Sequence, residues 1–331
     1  MDKFLGRMKI PGKRYLYFLP LIVLLILGFF AFDEILDETS GGWAKFKGNP
    51  VFGDGLGTVF DVSVLKEGDK FRMWFSWRPK ESVALTESVD GIHWTEPVIV
   101  LGPNEATDWE ERINRPVVLK HSGEYHMWYT GQTNDKSFIG HAVSRDGINW
   151  KRTGDKPVLA PELPWEKKAV MCPNVIWDEK DHIYKMWYSG GDQYEPDAIG
   201  YATSSDGYTW IKKSEPVFLP SKCCEWDSFK VTGSQVLYMS GWYIMFYIGF
   251  KDVNHAMIGL ARSRDGIGNW QRYPENPIIN PGSYFSWDHD AVYKPFAILN
   301  DDGWYLWYNG RRGPTELIGL AFHEDKDLKF E

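Results

Sequence analysis

Three cysteines in 331 residues, Cys172, Cys223 and Cys224, are too few and too poorly spaced for a disulfide framework or a zinc site. The fold must therefore stand on its apolar core. Positive charge is also scarce, with 37 Lys and Arg against 45 Asp and Glu and a net charge of −8. Such a surface repels phosphate backbones and argues against nucleic acid as a partner. No cluster of ligands calls for a metal, and no cofactor is expected. Charged residues make up 25% of the chain, so no long stretch has the composition of a disordered segment.

Long apolar runs are rare too, and the single one is at the N-terminus. Lys3, Arg7, Lys9, Lys13 and Arg14 precede an apolar stretch from Tyr15 to Phe32, and Asp33, Glu34, Asp37 and Glu38 follow it. Eighteen residues at ~1.5 Å rise span roughly 27 Å, enough to cross a hydrocarbon core. The charge bias predicts a single transmembrane anchor with residues 1–14 cytoplasmic, 33–42 as linker, and the remainder periplasmic, extracellular or lumenal. A cleaved signal peptide is the rival reading, but bulky residues fill Gly28–Phe32 where a small-residue cleavage site belongs.

Aromatics and turn formers are abundant: 17 Trp, 17 Tyr, 19 Phe and 32 Gly. They recur in a repeat. SVDGIHW (88–94), SRDGINW (144–150), SSDGYTW (204–210) and SRDGIGNW (263–270) place tryptophans at intervals of 56, 60 and 60 residues. Each follows an aromatic strand (FRMWFSW, YHMWYTG, YKMWYSG, YIMFYIG) and a small-residue strand such as IGHAVS; YLWYNGR and IGLAFH form a fifth set. The Asp-Gly pair suits a tight turn, Asp accepting backbone N–H groups and Gly supplying positive φ. Four short strands per unit predict an all-β fold, a five-bladed β-propeller over residues 43–331. Residues 43–52 (WAKFKGNPVF) repeat the spacing that follows Trp150, so they are expected to supply the missing strand of the last blade.

The first strand of each blade should line the central funnel. The residues just before the apolar cores of these strands are Asp61, Arg115, Cys172, Gly233 and Lys294. Charges in otherwise apolar strands suggest a ligand, although mutual pairing as a structural plug would also satisfy them. Upstream lies a second repeat: Trp109-Glu110-Glu111, Trp165-Glu166, Trp226-Asp227 and Trp287-Asp288-His289-Asp290. Indole beside carboxylate fits sugar recognition, the ring stacking on a pyranose while the acid binds hydroxyls. The bland alternative is a Trp that packs its own blade.

These blade repeats, YHMWYTG…IGHAVSRDGINW above all, resemble the five-bladed glycosidase propellers of glycoside hydrolase families 43, 32, 62, 68 and 130. The resemblance implies cleavage of glycosidic bonds in an oligo- or polysaccharide. In family 43 a catalytic base Asp opens the first inner strand, and Asp61-Val62-Ser63-Val64 is similar to that motif without its Pro. The second family carboxylate falls on Cys172-Pro173-Asn174-Val175 and the general-acid Glu on Thr232-Gly233, where this chain has neither acid. Displaced residues are therefore expected to carry the chemistry: Asp61 facing Asp227 or Glu110 across the funnel, at the roughly 6.5–9.5 Å of an inverting pair. Glu111, Arg115, Glu166, Lys230, Asp288, Asp290 and Lys294 are the expected substrate-binding groups. Arg115, Lys230 and Lys294 point to an anionic ligand, including inorganic phosphate, which would make the protein similar to the phosphorylases of family 130. A glycan-binding propeller without catalysis is the alternative from another class.

Overall fold

A computed structural model describes residues 38–193, 196–222 and 225–330. The expected membrane anchor and the adjacent Cys223 and Cys224 lie outside these residues. Among them no α-helix occurs, and no helix is long and apolar enough to cross a membrane.

Among the described residues, twenty strands form five antiparallel four-stranded blades. Blade 1 holds β2 (Val59–Glu67), β3 (Lys70–Trp77), β4 (Ser82–Ser88) and β5 (Val98–Leu101). Blade 2 holds β6 (Arg112–His121), β7 (Glu124–Gln132), β8 (Ser137–Ser144) and β9 (Lys151–Arg152). Blade 3 holds β10 (Ala169–Asp178), β11 (Ile183–Gly191), β12 (Pro196–Ser204) and β13 (Ile211–Lys212). Blade 4 holds β14 (Lys230–Met239), β15 (Trp242–Phe250), β16 (Ala256–Ser263) and β17 (Gln271–Arg272). Blade 5 holds β18 (Ala291–Asn300), β19 (Gly303–Arg312), β20 (Thr315–His323) and, from the other end of the domain, β1 (Trp43–Lys45). The inner strands β2, β6, β10, β14 and β18 each neighbour the next, and β18 returns to β2, which closes the ring.

Five apolar clusters fill the spaces between successive blades. Strands buried on both faces need long apolar stretches, which is why YHMWYTG is buried throughout and its repeats nearly so. In four of the five blades a tryptophan of the second strand also bonds to a turn of the next blade, blade 4 having Phe246 at that position. Trp74 Nε1 donates to Gly147 O at 2.9 Å, Trp128 to Gly207, Trp187 to Gly266 and Trp307 to Gly91. Gly147 sits at φ +73°, and a Cβ there would lie 2.9 Å from the Trp74 ring. Both the turn and the indole over it demand glycine.

The N-terminal segment pairs with the last blade as its fourth strand: Trp43 pairs His323 and Lys45 pairs Ala321. Trp43 is 4% exposed, edge-on to Phe246 across the blade 4–5 interface. Trp43→Ala is expected to cost about 3–5 kcal/mol, read as a lowered denaturation midpoint. An unchanged midpoint would show that the ring does not depend on this strand.

Candidate functional site at the funnel mouth

Every inner strand bulges at the same place. Asp61, Arg115, Cys172, Gly233 and Lys294 all have φ between +51° and +55°, where the register of each inner strand shifts against its neighbour. A bulge in this left-handed conformation bends the strand and re-aims its side chain. For the four non-glycine residues it costs of order 1–3 kcal/mol, and it persists only where the surroundings enforce it. Here the preceding blade does so. The backbone N–H of Asp61 donates to Asn309 Oδ1, that of Arg115 to Ser76 Oγ, that of Cys172 to Thr130 Oγ1 and that of Gly233 to Ser189 Oγ. In blade 4 the corresponding residue is Ile248, which has no such acceptor.

The five residues surround the axis, and a cavity of about 210 Å³ opens above them. One wall is apolar, with Ile248, Phe250, Val253 and Ala256 of blade 4. The other is charged. Asp61 is 5% exposed and lies 3.2 Å from Arg115 Nε and 3.9 Å from Lys294 Nζ. Neither of its carboxylate oxygens takes a hydrogen bond from the described residues. Arg115 is held in place by Asn114 Oδ1 at 2.6 Å, and Lys294 also donates to the Cys172 thiol.

The sequence offered no hint of the second acid. Glu316, at the start of β20, is 9% exposed and lines the same cavity with Arg78, Tyr293 and Arg311. Its Oε1 accepts a hydrogen bond from Arg78 at 3.0 Å, and the Tyr293 phenol lies beside the carboxyl. Burial raises its pKa above the ordinary carboxylate value, and the nearby Asp61 charge adds to the rise against the opposing pull of Arg78. Thus two buried carboxyls, Asp61 beside Arg115 and Lys294 and Glu316 beside Arg78 with a raised pKa, share one cavity with Arg311. Paired carboxyls in contrasting environments are the arrangement acid–base chemistry needs.

The Trp-acid repeat does something else. Glu110 and Asp227, the expected catalytic partners of Asp61, are fully buried and belong to a lock repeated in four blades. Glu110 accepts from Tyr129 Oη at 2.6 Å and Arg152 Nε at 2.8 Å; Asp227 accepts from Tyr247 Oη at 2.9 Å and Arg272 Nε at 2.7 Å. Glu166 does the same with Tyr188 and Lys212, and Asp288 with Tyr308 and Lys45. Each basic partner comes from the outermost strand, so these acids sit over the outer part of the blade and not across the funnel from Asp61.

The neighbouring indoles are occupied as well. A Cβ on Gly131 or Gly140 would meet Trp109, and one on Gly249 or Gly259 would meet Trp226, so these rings lie flat on their own blades. Three further expected substrate groups fall elsewhere. Glu111 is exposed, Lys230 lies 3.5 Å from Asp197, and Asp290 accepts from the Gly313 N–H at 2.7 Å. Of the expected set, the structure brings together Asp61, Arg115 and Lys294.

Comparison with known proteins fits this architecture. The chain is 29% identical over 222 residues to a 1,2-beta-oligomannan phosphorylase of Thermoanaerobacter sp. (strain X514), covering 63% of this chain and 68% of the relative. It is 29% identical over 247 residues to the beta-1,2-mannobiose phosphorylase of the same organism, covering 69% and 75%. Among solved structures, it superposes on a GH130 protein with a TM-score of 0.70 at 17% identity, covering 88% of this chain and 96% of that one. That work describes mannoside phosphorylases and glycoside hydrolases targeting β-1,2 mannosidic linkages in Candida mannan. A thermostable family-43 glycoside hydrolase gives 0.67 at 18% identity, covering 82% and 91%. The profile of glycosyl hydrolases family 43 matches residues 48–321, most of the chain, and the protein belongs to that family.

Proposed function

We propose that the protein cleaves a glycosidic bond at the funnel mouth, with Glu316 as proton donor and inorganic phosphate as the attacking group. The observation that carries this reading is the charge count in the cavity: four cations, Arg78, Arg115, Arg311 and Lys294, face only two carboxyls. With Glu316 protonated as the donor, only Asp61 offsets these four cations, and the positive excess, in a protein of net charge −8, complements a phosphate anion. A phosphate oxygen bonds to the anomeric carbon as the glycosidic C–O bond breaks. The proton of Glu316 goes to the departing oxygen, giving a sugar 1-phosphate and a shortened glycan. Asp61 positions Arg115 and Lys294 in this scheme and accepts from sugar hydroxyls with its unbonded oxygens.

β-1,2-linked mannosides, named for both Thermoanaerobacter relatives, are the first substrates to try. Hydrolysis is the second reading, and the position of Asp61 at the family's base position favours it. Product analysis separates the two. Sugar 1-phosphate formed only when phosphate is supplied is the expected result. Free sugar released at the same rate with and without phosphate would replace phosphorolysis by hydrolysis. Tight glycan binding with neither product would reject catalysis altogether.

A further inference from the structure

The loop 281–290 before β18 carries two exposed aromatics in succession, Tyr284 at 57% and Phe285 at 76%. Their rings meet edge to face at 5.2 Å, and His289 lies 5.2 Å from Tyr284 on its other side. The loop is hydrogen-bonded to the β19–β20 turn. Arg312 Nη1 donates to Phe285 O at 2.8 Å, the Asp290 N–H to Arg311 O at 3.0 Å, and the Gly313 N–H to Asp290 Oδ2 at 2.7 Å. Arg311 and Glu316, at the two ends of that turn, line the mouth cavity. The aromatic pair therefore sits on a loop tied to the turn whose two ends line the cavity, on the blade that carries the proton donor.

We infer that Tyr284 and Phe285 form a stacking platform for the sugar units on the leaving-group side of the bond, an inference that rests on the proposed role of Glu316. A group that protonates the departing oxygen lies on the side from which the departing chain leaves, which here is blade 5. A chain longer than one unit on that side crosses the 311–313 turn and meets the two rings. Aromatic faces suit the apolar face of a pyranose, and His289 and Arg312 beside them offer donors for hydroxyls. In contrast to the buried Trp109 and its half-buried repeats, which lie against glycines of their own blades, these rings are exposed and open to a ligand.

The test is a kinetic series on leaving groups from a 4-nitrophenyl aglycone to four sugar units, comparing wild type with Phe285→Ala and Tyr284→Ala. Both residues are exposed, and a melting curve checks that the fold is intact. The expected result is a KM penalty that grows with leaving-group length, reaching about three- to tenfold for the longest chain, with kcat little changed. A penalty independent of length, or no penalty, overturns the platform while leaving the catalytic reading intact. Calorimetric binding of oligosaccharides of two to six units, including β-1,2-mannans, keeps the two ideas separate. Weaker binding by Phe285→Ala in a protein that cleaves nothing supports the platform and removes the catalytic reading. Unaltered glycan binding with loss of association to phospholipid vesicles overturns the platform in favour of a lipid surface.

Discussion

Glu316→Gln is expected to lower turnover by about 10²–10⁴-fold on substrates with unactivated sugar leaving groups, because it removes the proton that the departing oxygen needs. A 4-nitrophenyl leaving group departs without much help, so the same variant should lose far less on that substrate. The change is nearly isosteric. Its partner Arg78 is 56% exposed in the side chain, so water compensates for the lost ion pair and the fold should survive. pH gives an independent readout. Burial holds the Glu316 carboxyl protonated to higher pH than an ordinary glutamate, so kcat should fall as pH rises through that elevated value. In the Gln variant this basic limb should disappear. An equal loss on both leaving groups, with the limb retained, would assign the proton to another group.

How legible was this in the sequence? The Asp-Gly-Trp turns and aromatic strands were read correctly because their function is local: Asp90 and Asp146 accept N–H groups two and three residues away. The funnel residues were also legible, since charges at matched positions of apolar strands stand out. Glu316 was not. Two residues before the Ile-Gly of a third strand, the other blades carry unrelated residues such as Ala256 and Asp197. A glutamate following Pro314-Thr315 looks like part of a solvated turn, and only its burial in the folded cavity, with Asp61 nearby, raises its pKa.

The Trp-acid repeat was seen but assigned the wrong partner. Its signal lies two residues beyond each turn tryptophan: Trp150 is followed by Arg152, Trp210 by Lys212, Trp270 by Arg272 and Trp43 by Lys45. In blade 1, where no Trp-acid pair precedes the inner strand, the residue two beyond Trp94 is Glu96. Acid and base thus occur together or not at all, the signature of a pair internal to the blade and not of a sugar site.

That reassignment makes the sharpest stability prediction. Asp227 is buried beneath Trp226, and its Oδ2 holds both the Tyr247 hydroxyl and Arg272 Nε. Burial and the Asp227 charge together raise the Tyr247 pKa well above its usual value, so the phenol remains a hydrogen-bond donor over the working pH range. Asp227→Ala leaves a hydroxyl and a guanidinium without their acceptor. Breaking such a buried pair typically costs ~3–5 kcal/mol. The lower end is expected here, because the Arg272 side chain is 31% exposed and keeps its second bond, to Leu219 O. Asp227→Asn retains an oxygen for Tyr247 but loses the charge, so it should fall between Ala and wild type. Turnover per folded molecule should stay at the wild-type value in both. Removing the cation as well, in Asp227→Leu/Arg272→Met, should recover part of the lost stability, since an apolar replacement of both partners leaves nothing unpaired. Denaturant melts and kinetics on these three variants and the wild type decide the matter. If Asp227→Asn abolished turnover while its melt matched wild type, the carboxylate would return to the chemistry, and the blade lock would lose its main support.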